Sequence, residues 1–289
     1  MRIIPPSELI INEDGSAFHL HLKPEYLADK VILVGDPDRV STIADYFDTR
    51  ECAVSSREFH SITGSYKGKR LSIVSHGIGT DNIDIVLTEL DALANIDFVS
   101  RTVKPEFRQL TLVRIGTSGG LQPFVPIGTY VAAEKSIGFD GVVYFYRQNE
   151  EVRDKAFEAE LLTQLSWKPT RTLPYVVAAD ASLLEQITKN DIIRGVTIAA
   201  NGFYGPQGRE VRLPLTDPDL NNKIEAFEYQ GKKITNYEME SSSLAGLAAM
   251  MGHRALTVCC IIAGRVAQDM NTSYKGSLTG LIETVLERI

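Results

Sequence analysis

Residues 110–120 read Leu-Thr-Leu-Val-Arg-Ile-Gly-Thr-Ser-Gly-Gly, an apolar run that ends in a stretch of small residues. A short apolar run bounded by glycine is typical of a buried strand, so we predict a strand over residues 110–115 that leads into a turn. Arg114 lies inside the run, where a charge must be paired or functional because an isolated buried charge is unstable. We therefore expect Arg114 to serve the function of the protein.

The same alternation of apolar runs and turns continues along the chain. Apolar runs predict further strands over residues 31–34, 61–66, 70–75, 175–179, 192–200 and 255–262. Helical spacing of apolar residues predicts helices over residues 80–93, 181–188, 218–230, 241–251 and 278–289. Strands that alternate with helices indicate an α/β domain with a mixed, partly parallel sheet between helical layers.

The composition is that of an ordinary globular protein. Of the 289 residues, 44% are hydrophobic and 23% are charged, which excludes a disordered chain. The formal net charge of −7 argues against a general nucleic-acid binder, because such a protein carries a basic stripe. No apolar run approaches the roughly 20 residues of a membrane span. We expect one domain over residues 1–289, with an N-terminal extension over 1–17 and a loop insertion over 95–109.

Cysteine usage and the chain start bear on the compartment. The three cysteines Cys52, Cys259 and Cys260 are odd in number and form no C-x-x-C pair, which fits a reducing environment. The first residues contain no apolar region of signal-peptide length. We therefore expect a cytoplasmic protein that binds no membrane.

Several well-known fingerprints are absent from the sequence. Gly77-x-Gly79 has no third glycine at the dinucleotide-binding spacing, and residues 116–120 are not followed by the Lys-Ser/Thr of a phosphate-binding P-loop. Neither H-E-x-x-H nor G-x-S-x-G occurs, so a zinc protease and a hydrolase triad are not predicted.

Arginines and glycines collect instead at the predicted strand ends. Gly35 and Arg39 follow the strand over residues 31–34, Arg57 precedes another strand, and Thr117 follows Arg114. Ligands of open α/β sheets bind at the carboxyl ends of strands, and arginine binds phosphate through two parallel hydrogen bonds. The pattern predicts a pocket for phosphate or a phosphate ester. Taken singly, Arg39 or Arg57 also fits a surface salt bridge.

Residues 236–241 read Asn-Tyr-Glu-Met-Glu-Ser, so that Glu238 and Glu240 flank Met239. One interpretation is the N-terminus of the following helix, where glutamate and serine are favoured by capping and by the helix dipole. The other is a clamp in which the carboxylates accept hydrogen bonds from vicinal sugar hydroxyls while the methionine packs on the ring.

Residues 203–209 read Phe-Tyr-Gly-Pro-Gln-Gly-Arg. The plain interpretation is a polar turn with one aromatic side chain in the core. The functional one is a base site, where Phe203 stacks on a planar ring while Gln207 and Arg209 bond its polar edge.

These constellations, in this order, resemble the nucleoside phosphorylase family, and its uridine phosphorylase branch most closely. The matching stretches are residues 18–20, 34–40, 56–59, 77–79, 112–119, 203–209 and 236–241. The resemblance runs from about His19 to the last helix. It implies a three-layer α/β/α sandwich with a mixed central sheet, and reversible phosphorolysis of uridine to uracil and ribose 1-phosphate.

The resemblance also assigns residues to three parts of a site. Phosphate would be bound by Gly35, Arg39, Arg57, Arg114 and Thr117. Ribose would be bound by His19, Glu238, Met239 and Glu240. The base would be bound by Phe203, Gln207, Arg209 and Arg265. His19 and Arg57 would reach the site of a neighbouring subunit, which implies at least a dimer, and the common assembly of the branch is a hexamer built as a trimer of dimers.

Catalysis would depend on Arg114, Gln207, Arg209 and Glu240. Phosphate attacks C1′, Glu240 holds the sugar in line, and the Gln207–Arg209 pair stabilises the negative charge of the departing uracil. The chemistry implied requires no metal, no cofactor and no protein nucleophile, because phosphate is itself a substrate.

Two departures from the family pattern bear on the base and on a bound ion. Purine phosphorylases of this fold protonate the base with an aspartate, whereas Asn201 stands just before the aromatic turn, which favours a pyrimidine. Glu58 and Ile78 match a monovalent-cation site of the branch, but Asn82 replaces a serine, so the ion stays unassigned.

Two other functions stay open. A nucleosidase of the same fold cleaves with water and needs no phosphate pocket, so Arg39, Arg57 and Arg114 argue against it. A non-catalytic nucleoside-binding protein could retain the fold, but Glu240 and Arg209 would have no reason to persist beside Arg114.

Overall fold

The computed structural model describes residues 2–264, 269–270 and 274–289. The strands are β1 Lys30–Val34, β2 Thr49–Ser56, β3 Phe59–Tyr66, β4 Lys69–Ser75, β5 Ile96–Asp97, β6 Thr102–Val103, β7 Thr111–Gly120, β8 Tyr130–Gly138, β9 Tyr175–Ala178, β10 Ile193–Ala199, β11 Glu228–Tyr229, β12 Lys232–Glu238, β13 Arg254–Gly264 and β14 Asp269–Met270. The α-helices are α1 Pro37–Ala44, α2 Thr80–Asn95, α3 Asn149–Val152, α4 Lys155–Gln164, α5 Ala181–Thr188, α6 Leu220–Ala226, α7 Ser241–Met251 and α8 Lys275–Arg288.

The central sheet is mixed, as predicted. Its strand order is β11-β12-β10-β8-β13-β7-β1-β4-β3-β2. The pairs β1–β4, β1–β7, β7–β13, β8–β10 and β10–β12 are parallel, whereas β2–β3, β3–β4 and β8–β13 are antiparallel. β12 also pairs with β7 in antiparallel fashion, so β7, β13, β8, β10 and β12 form a closed ring of hydrogen-bonded strands.

Helices cover both faces of the sheet, which confirms the three-layer sandwich. Alternate residues of β1 divide between the two faces, because successive side chains of a strand point in opposite directions. Ile32 and Val34 join one core with apolar residues of α1, α5 and α8. Val31 and Leu33 join another core with residues of α2 and α7.

The predicted helix over residues 218–230 is wrong in its second half. The helix α6 ends at Ala226, and residues 228–229 then form β11, which pairs with β12. Gln230 and Gly231, with φ of 53° and 72°, make the turn between these strands. Two consecutive residues with positive φ fit a tight hairpin turn and cannot continue a right-handed helix.

Residues 95–109 pack against the N-terminal segment. The strands β5 and β6 pair with each other, and Arg101 donates hydrogen bonds to the backbone carbonyls of Ile4, Pro5 and Leu9. No helix of the described part of the chain is long and apolar enough to cross a membrane.

Candidate active site

A cavity of about 680 Å³ opens where β1, β7 and β12 end at their carboxyl ends. The topology therefore brings distant stretches of sequence to one edge of the sheet. The sequence-predicted site residues that line it are Gly35, Arg39, Arg114, Thr117, Phe203, Gln207, Arg209, Glu238, Met239 and Glu240.

One end of the cavity combines backbone amides with a cation. β1 and β7 are parallel neighbours with Val34 beside Ile115, so the segments that begin at Gly35 and Gly116 lie side by side. Arg39, in the first turn of α1, donates to the carbonyl of Ile115 at 3.3 Å and forms no ion pair with a described carboxylate. Arg39 is largely removed from water, and this burial lowers the pKa of its guanidinium. An anion is the natural partner for this group.

Arg114 lies behind this end and is 4% exposed. Its Nη1 donates to Glu238 Oε2 at 2.9 Å, and its Nη2 donates to a carboxylate oxygen of Glu240. Its Nε donates to His76 Nε2 at 3.1 Å. Burial by itself would lower the pKa of Arg114, but the two carboxylates raise it above the usual value. Of the two predicted explanations for this buried charge, pairing or function, the structure shows the pairing, and the functional role stays a prediction.

Glu238 caps the helix that follows it. Its carboxylate accepts hydrogen bonds from the backbone N–H of Glu240 at 2.9 Å, and from the N–H and hydroxyl of Ser241 at 3.0 and 2.6 Å. The capping interpretation of residues 236–241 is therefore confirmed for Glu238. Glu238 also pairs with Arg114, so most of its hydrogen-bond acceptor sites are already occupied although it lines the cavity.

Glu240 is placed differently from Glu238. Its Oε1 accepts a hydrogen bond from the Gly79 backbone N–H at 2.7 Å, and its other oxygen pairs with Arg114. Burial raises the pKa of Glu240, an effect that Arg114 opposes and neighbouring Glu238 strengthens. Together with Met239, which also lines the cavity, Glu240 is the carboxylate best placed to meet a sugar.

The other end of the cavity is formed by the turn over residues 203–209. Gln207 is 3% exposed, and its Oε1 accepts a hydrogen bond from Arg209 Nη1 at 2.6 Å. The guanidinium carbon of Arg209 lies 3.8 Å from the centroid of the Phe203 ring, within cation–π range. Stacking and hydrogen bonding thus join three of the four predicted base-binding residues, Phe203, Gln207 and Arg209, into one unit.

Some predicted site residues lie elsewhere. His19 bonds Glu89 through its Nδ1 at 2.6 Å, and Arg57 is exposed in the β2–β3 turn with φ of 54°. Neither lines the cavity of its own chain. Arg265 lies outside the described residues.

Asn201, which stands just before the aromatic turn, lines a neighbouring cavity and not this one. Ile262 and Ala263, at the end of β13, line the substrate cavity instead. The three residues compared with a cation site, Glu58, Ile78 and Asn82, also line it.

His76 and Cys259 are site residues that the sequence did not reveal. His76 is fully buried and accepts the Arg114 hydrogen bond, and burial, Arg114 and Arg39 hold its pKa well below the usual value, so it is neutral. The Cys259 Sγ lies 3.7 Å from Arg114 Nη1, and burial raises the pKa of this thiol to about 12. The signal for His76 was its place between β4 and Gly77, at another strand end beside the site.

Comparisons with known proteins agree with this geometry. The family model of the phosphorylase superfamily matches residues 29–284. The uridine phosphorylase of Thermococcus kodakarensis is 28% identical over 89% of this chain and 80% of its own length. The uridine phosphorylase of Escherichia coli is 29% identical over 89% of each chain.

A solved structure is similar over nearly the whole chain. It is that of a Trypanosoma brucei nucleoside phosphorylase described as showing uridine phosphorylase activity, with a TM-score of 0.87 and 27% identity. The match covers 97% of this chain and 98% of the other. Because the family model spans most of the sequence and the similar solved structure shares the fold, the chain belongs to the phosphorylase superfamily.

Proposed function

We propose that this protein catalyses the reversible phosphorolysis of uridine, which yields uracil and ribose 1-phosphate, and is thus a pentosyltransferase of pyrimidine nucleoside salvage. The observation that carries the proposal is the arrangement of one cavity. It has Arg39, a cation without a carboxylate partner among the described residues, at one end and the Gln207–Arg209 pair at the other. The relatives described as uridine phosphorylases support the substrate.

Phosphate binds at the end formed by Gly35, Arg39 and Thr117. Arg39 compensates the charge of the anion, and the amides at the two strand ends donate to its oxygens. Arg114 stands behind them and adds positive potential, although its nitrogens also hold Glu238 and Glu240. Phosphate then attacks C1′ of the ribose from this side.

The ribose lies between the two ends, against Met239 and Glu240. Glu240 accepts a hydrogen bond from a sugar hydroxyl and keeps C1′ in line with the phosphate. Such orientation lowers the activation barrier by about 5 kcal/mol or more. Because Gly79 and Arg114 both hold this carboxylate, its position is set before substrate binds.

Uracil leaves toward the turn over residues 203–209. Breaking the C1′–N1 bond places negative charge on the base, and Gln207 and Arg209 stabilise this charge at the polar edge of the ring. Phe203 packs against the ring while its other face contacts the guanidinium. Phosphate is the nucleophile, so we propose a reaction that uses no protein nucleophile, no metal and no organic cofactor.

We further propose a homo-oligomer in the cytoplasm, with at least two subunits and a hexamer built as a trimer of dimers. Ile78 lines the cavity yet is 74% exposed. Arg57 is also exposed, and it directly precedes Glu58, another residue that lines the cavity. A second subunit placed there would cover Ile78 and bring in His19 and Arg57. All three cysteines are free thiols, which fits a reducing compartment.

The test is a panel of uridine, thymidine, deoxyuridine and inosine, with product formation measured with and without phosphate. We expect phosphate-dependent release of uracil and little reaction of inosine. Cleavage of uridine at the same rate without phosphate would mean a nucleosidase. Uridine binding with no release of uracil at saturating phosphate would mean a non-catalytic binding protein.

A further inference from the structure

A second cavity, of about 840 Å³, lies beside the turn that holds Gln207 and Arg209. It is formed by the segments before β9 and between β10 and α6, and Arg209 is the one described residue that lines both cavities. Its volume falls within the range of small-molecule sites, roughly 300–1,000 Å³. The proposed phosphorolysis does not use it.

The charges of the second cavity are mostly positive. Arg171, Arg209 and Arg212 line it, whereas Asp217 is the only carboxylate among its described lining residues. Asp217 is buried and already compensated, since Lys223 Nζ lies 3.2 Å and Arg171 Nη1 4.0 Å from its Oδ2. Arg212 is exposed and forms no ion pair with a described residue. In a protein of net charge −7, this local excess of arginine favours an anion.

Three aromatic residues, Phe139, Trp167 and Tyr204, also line the cavity, beside aliphatic and small polar residues. Trp167 packs on Phe139 with ring centroids 4.8 Å apart, and its Nε1 donates to the Thr172 carbonyl at 3.1 Å, so its indole is held in place. The Tyr204 ring also lines the cavity and is 60% exposed. An exposed aromatic ring beside arginines suits a ligand that has both a planar ring and an anionic group.

We infer that the second cavity binds a nucleoside monophosphate, with its base against Tyr204 and its phosphate between Arg171 and Arg212. This site is distinct from the substrate cavity. Binding of the nucleotide there does not depend on the proposed reaction, whereas its effect on uridine rests on that proposed function. Through Arg209 it is coupled to the base end of that cavity. A phosphate nearby attracts the Arg209 guanidinium away from Gln207, so ligand in the second cavity weakens the binding of the nucleoside base.

The test uses uridine 5′-monophosphate as the probe and calorimetric titration as the readout. We compare the wild type with three variants. Arg212→Ala removes a lining residue of the second cavity, and Arg39→Gln removes one of the substrate cavity. Arg147→Ala removes the same charge at an exposed position outside both cavities. We expect saturable binding that Arg212→Ala weakens about tenfold or more and that the other two variants leave unchanged. The KM for uridine should rise with the nucleotide in the wild type but not in Arg212→Ala.

Each other result overturns the inference. Absence of saturable binding would exclude the site, and unchanged binding by Arg212→Ala would place the nucleotide elsewhere. Loss of binding in Arg39→Gln would show that the nucleotide occupies the substrate cavity. Displacement of the nucleotide from Arg39→Gln by an equal concentration of inorganic phosphate would show a plain anion site without base recognition.

Discussion

The guanidinium of Arg114 contacts the carboxylate of Glu240 directly, and at least nine-tenths of each side chain is buried. Glu238, equally buried, pairs with the same guanidinium, so one cation compensates two carboxylates that have almost no access to water. The site is therefore an electrostatic unit as well as a binding surface, and a change in any member alters the ionisation of the others.

Replacing Arg114 with alanine should impair both stability and activity. The variant leaves Glu238 and Glu240 buried without a counter-charge, and breaking such a pair typically costs about 3–5 kcal/mol. We expect a lower free energy of unfolding by denaturant at neutral pH, with phosphorolysis nearly abolished. Adding Glu240→Gln to this variant should recover part of the stability, because one uncompensated charge is removed. If Arg114→Ala alone proved as stable as the wild type, Arg114, Glu238 and Glu240 would not form one electrostatic unit.

Replacing Arg39 with glutamine should separate activity from stability. No described carboxylate pairs with Arg39, and its loss removes a 3.3 Å hydrogen bond to the Ile115 carbonyl without leaving an uncompensated charge. We therefore expect the free energy of unfolding to change by no more than about 1 kcal/mol. The kcat/KM for phosphate should fall about 100-fold or more, because a positioned charge at the anion site is lost. Arg50→Gln, which breaks an exposed pair with Asp45, serves as the control. Equal effects of the two changes on phosphate kinetics would refute the assignment of Arg39.

Replacing Gly116 with alanine should displace Arg114. Residues 114 and 116 lie on the same face of β7, and a Cβ at Gly116 would lie 2.6 Å from Arg114 Nη1 and 3.0 Å from Cys259 Sγ. We expect a raised KM for phosphate and a lower kcat. Gly276→Ala is the matched control, since a Cβ added at this position of helix α8 would have no neighbouring atom within 4 Å. Alanine there should stabilise the protein by about 0.5–1 kcal/mol with wild-type kinetics.

Replacing His76 with glutamine should alter the response of stability to acid. The folded state holds the pKa of His76 well below its usual value, so below about pH 6.5 the unfolded chain binds more protons than the folded one. Stability of the wild type therefore falls on acidification. Glutamine accepts the Arg114 hydrogen bond without titrating. As the pH falls from 6.5 to 5, the free energy of unfolding should therefore decrease less steeply in the variant than in the wild type, by up to about 1.4 kcal/mol per pH unit. Denaturant titrations of both proteins measure the difference, and parallel curves would show that His76 does not titrate in this way.

The sequence was most informative where one residue contradicted its surroundings. Arg114 interrupts an apolar strand, and that conflict predicted a paired or functional charge, which the structure places at the centre of the site. His76 gave no such conflict, because a lone histidine at a strand end is unremarkable. Its importance comes from the β1–β4 and β1–β7 pairings, which bring it to Arg114 and which no local pattern encodes.

The fold was predictable to a similar degree. Continuous apolar runs identified β1 and the first half of β7, which are buried by parallel neighbours. The turn predicted after residue 115 is wrong, because β7 continues to Gly120 and pairs there with β13. β8 was not predicted, because Glu134 and Lys135 interrupt its apolar pattern. Glu134 accepts a hydrogen bond from Lys232, and Lys135 donates one to Asp154, so both charges are paired with residues of other segments. The dual position of Glu238 was also unpredictable, because the same carboxylate caps α7 and faces the cavity. Sequence alone presented capping and ligand binding as alternatives, whereas in the structure the same side chain caps the helix and also lines the cavity.

The closed ring of β7, β13, β8, β10 and β12 has a consequence for what the enzyme accepts. β7 carries the phosphate end, and the chain leaves β10 to form the turn that meets the base. Because both strands belong to one continuous hydrogen-bonded circuit, the ends of β7 and β10 are held at a fixed spacing. In the proposed reaction this spacing sets the distance between the anion and the base to the length of one sugar, while substitutions in the loops at either end can change which anion or base is bound.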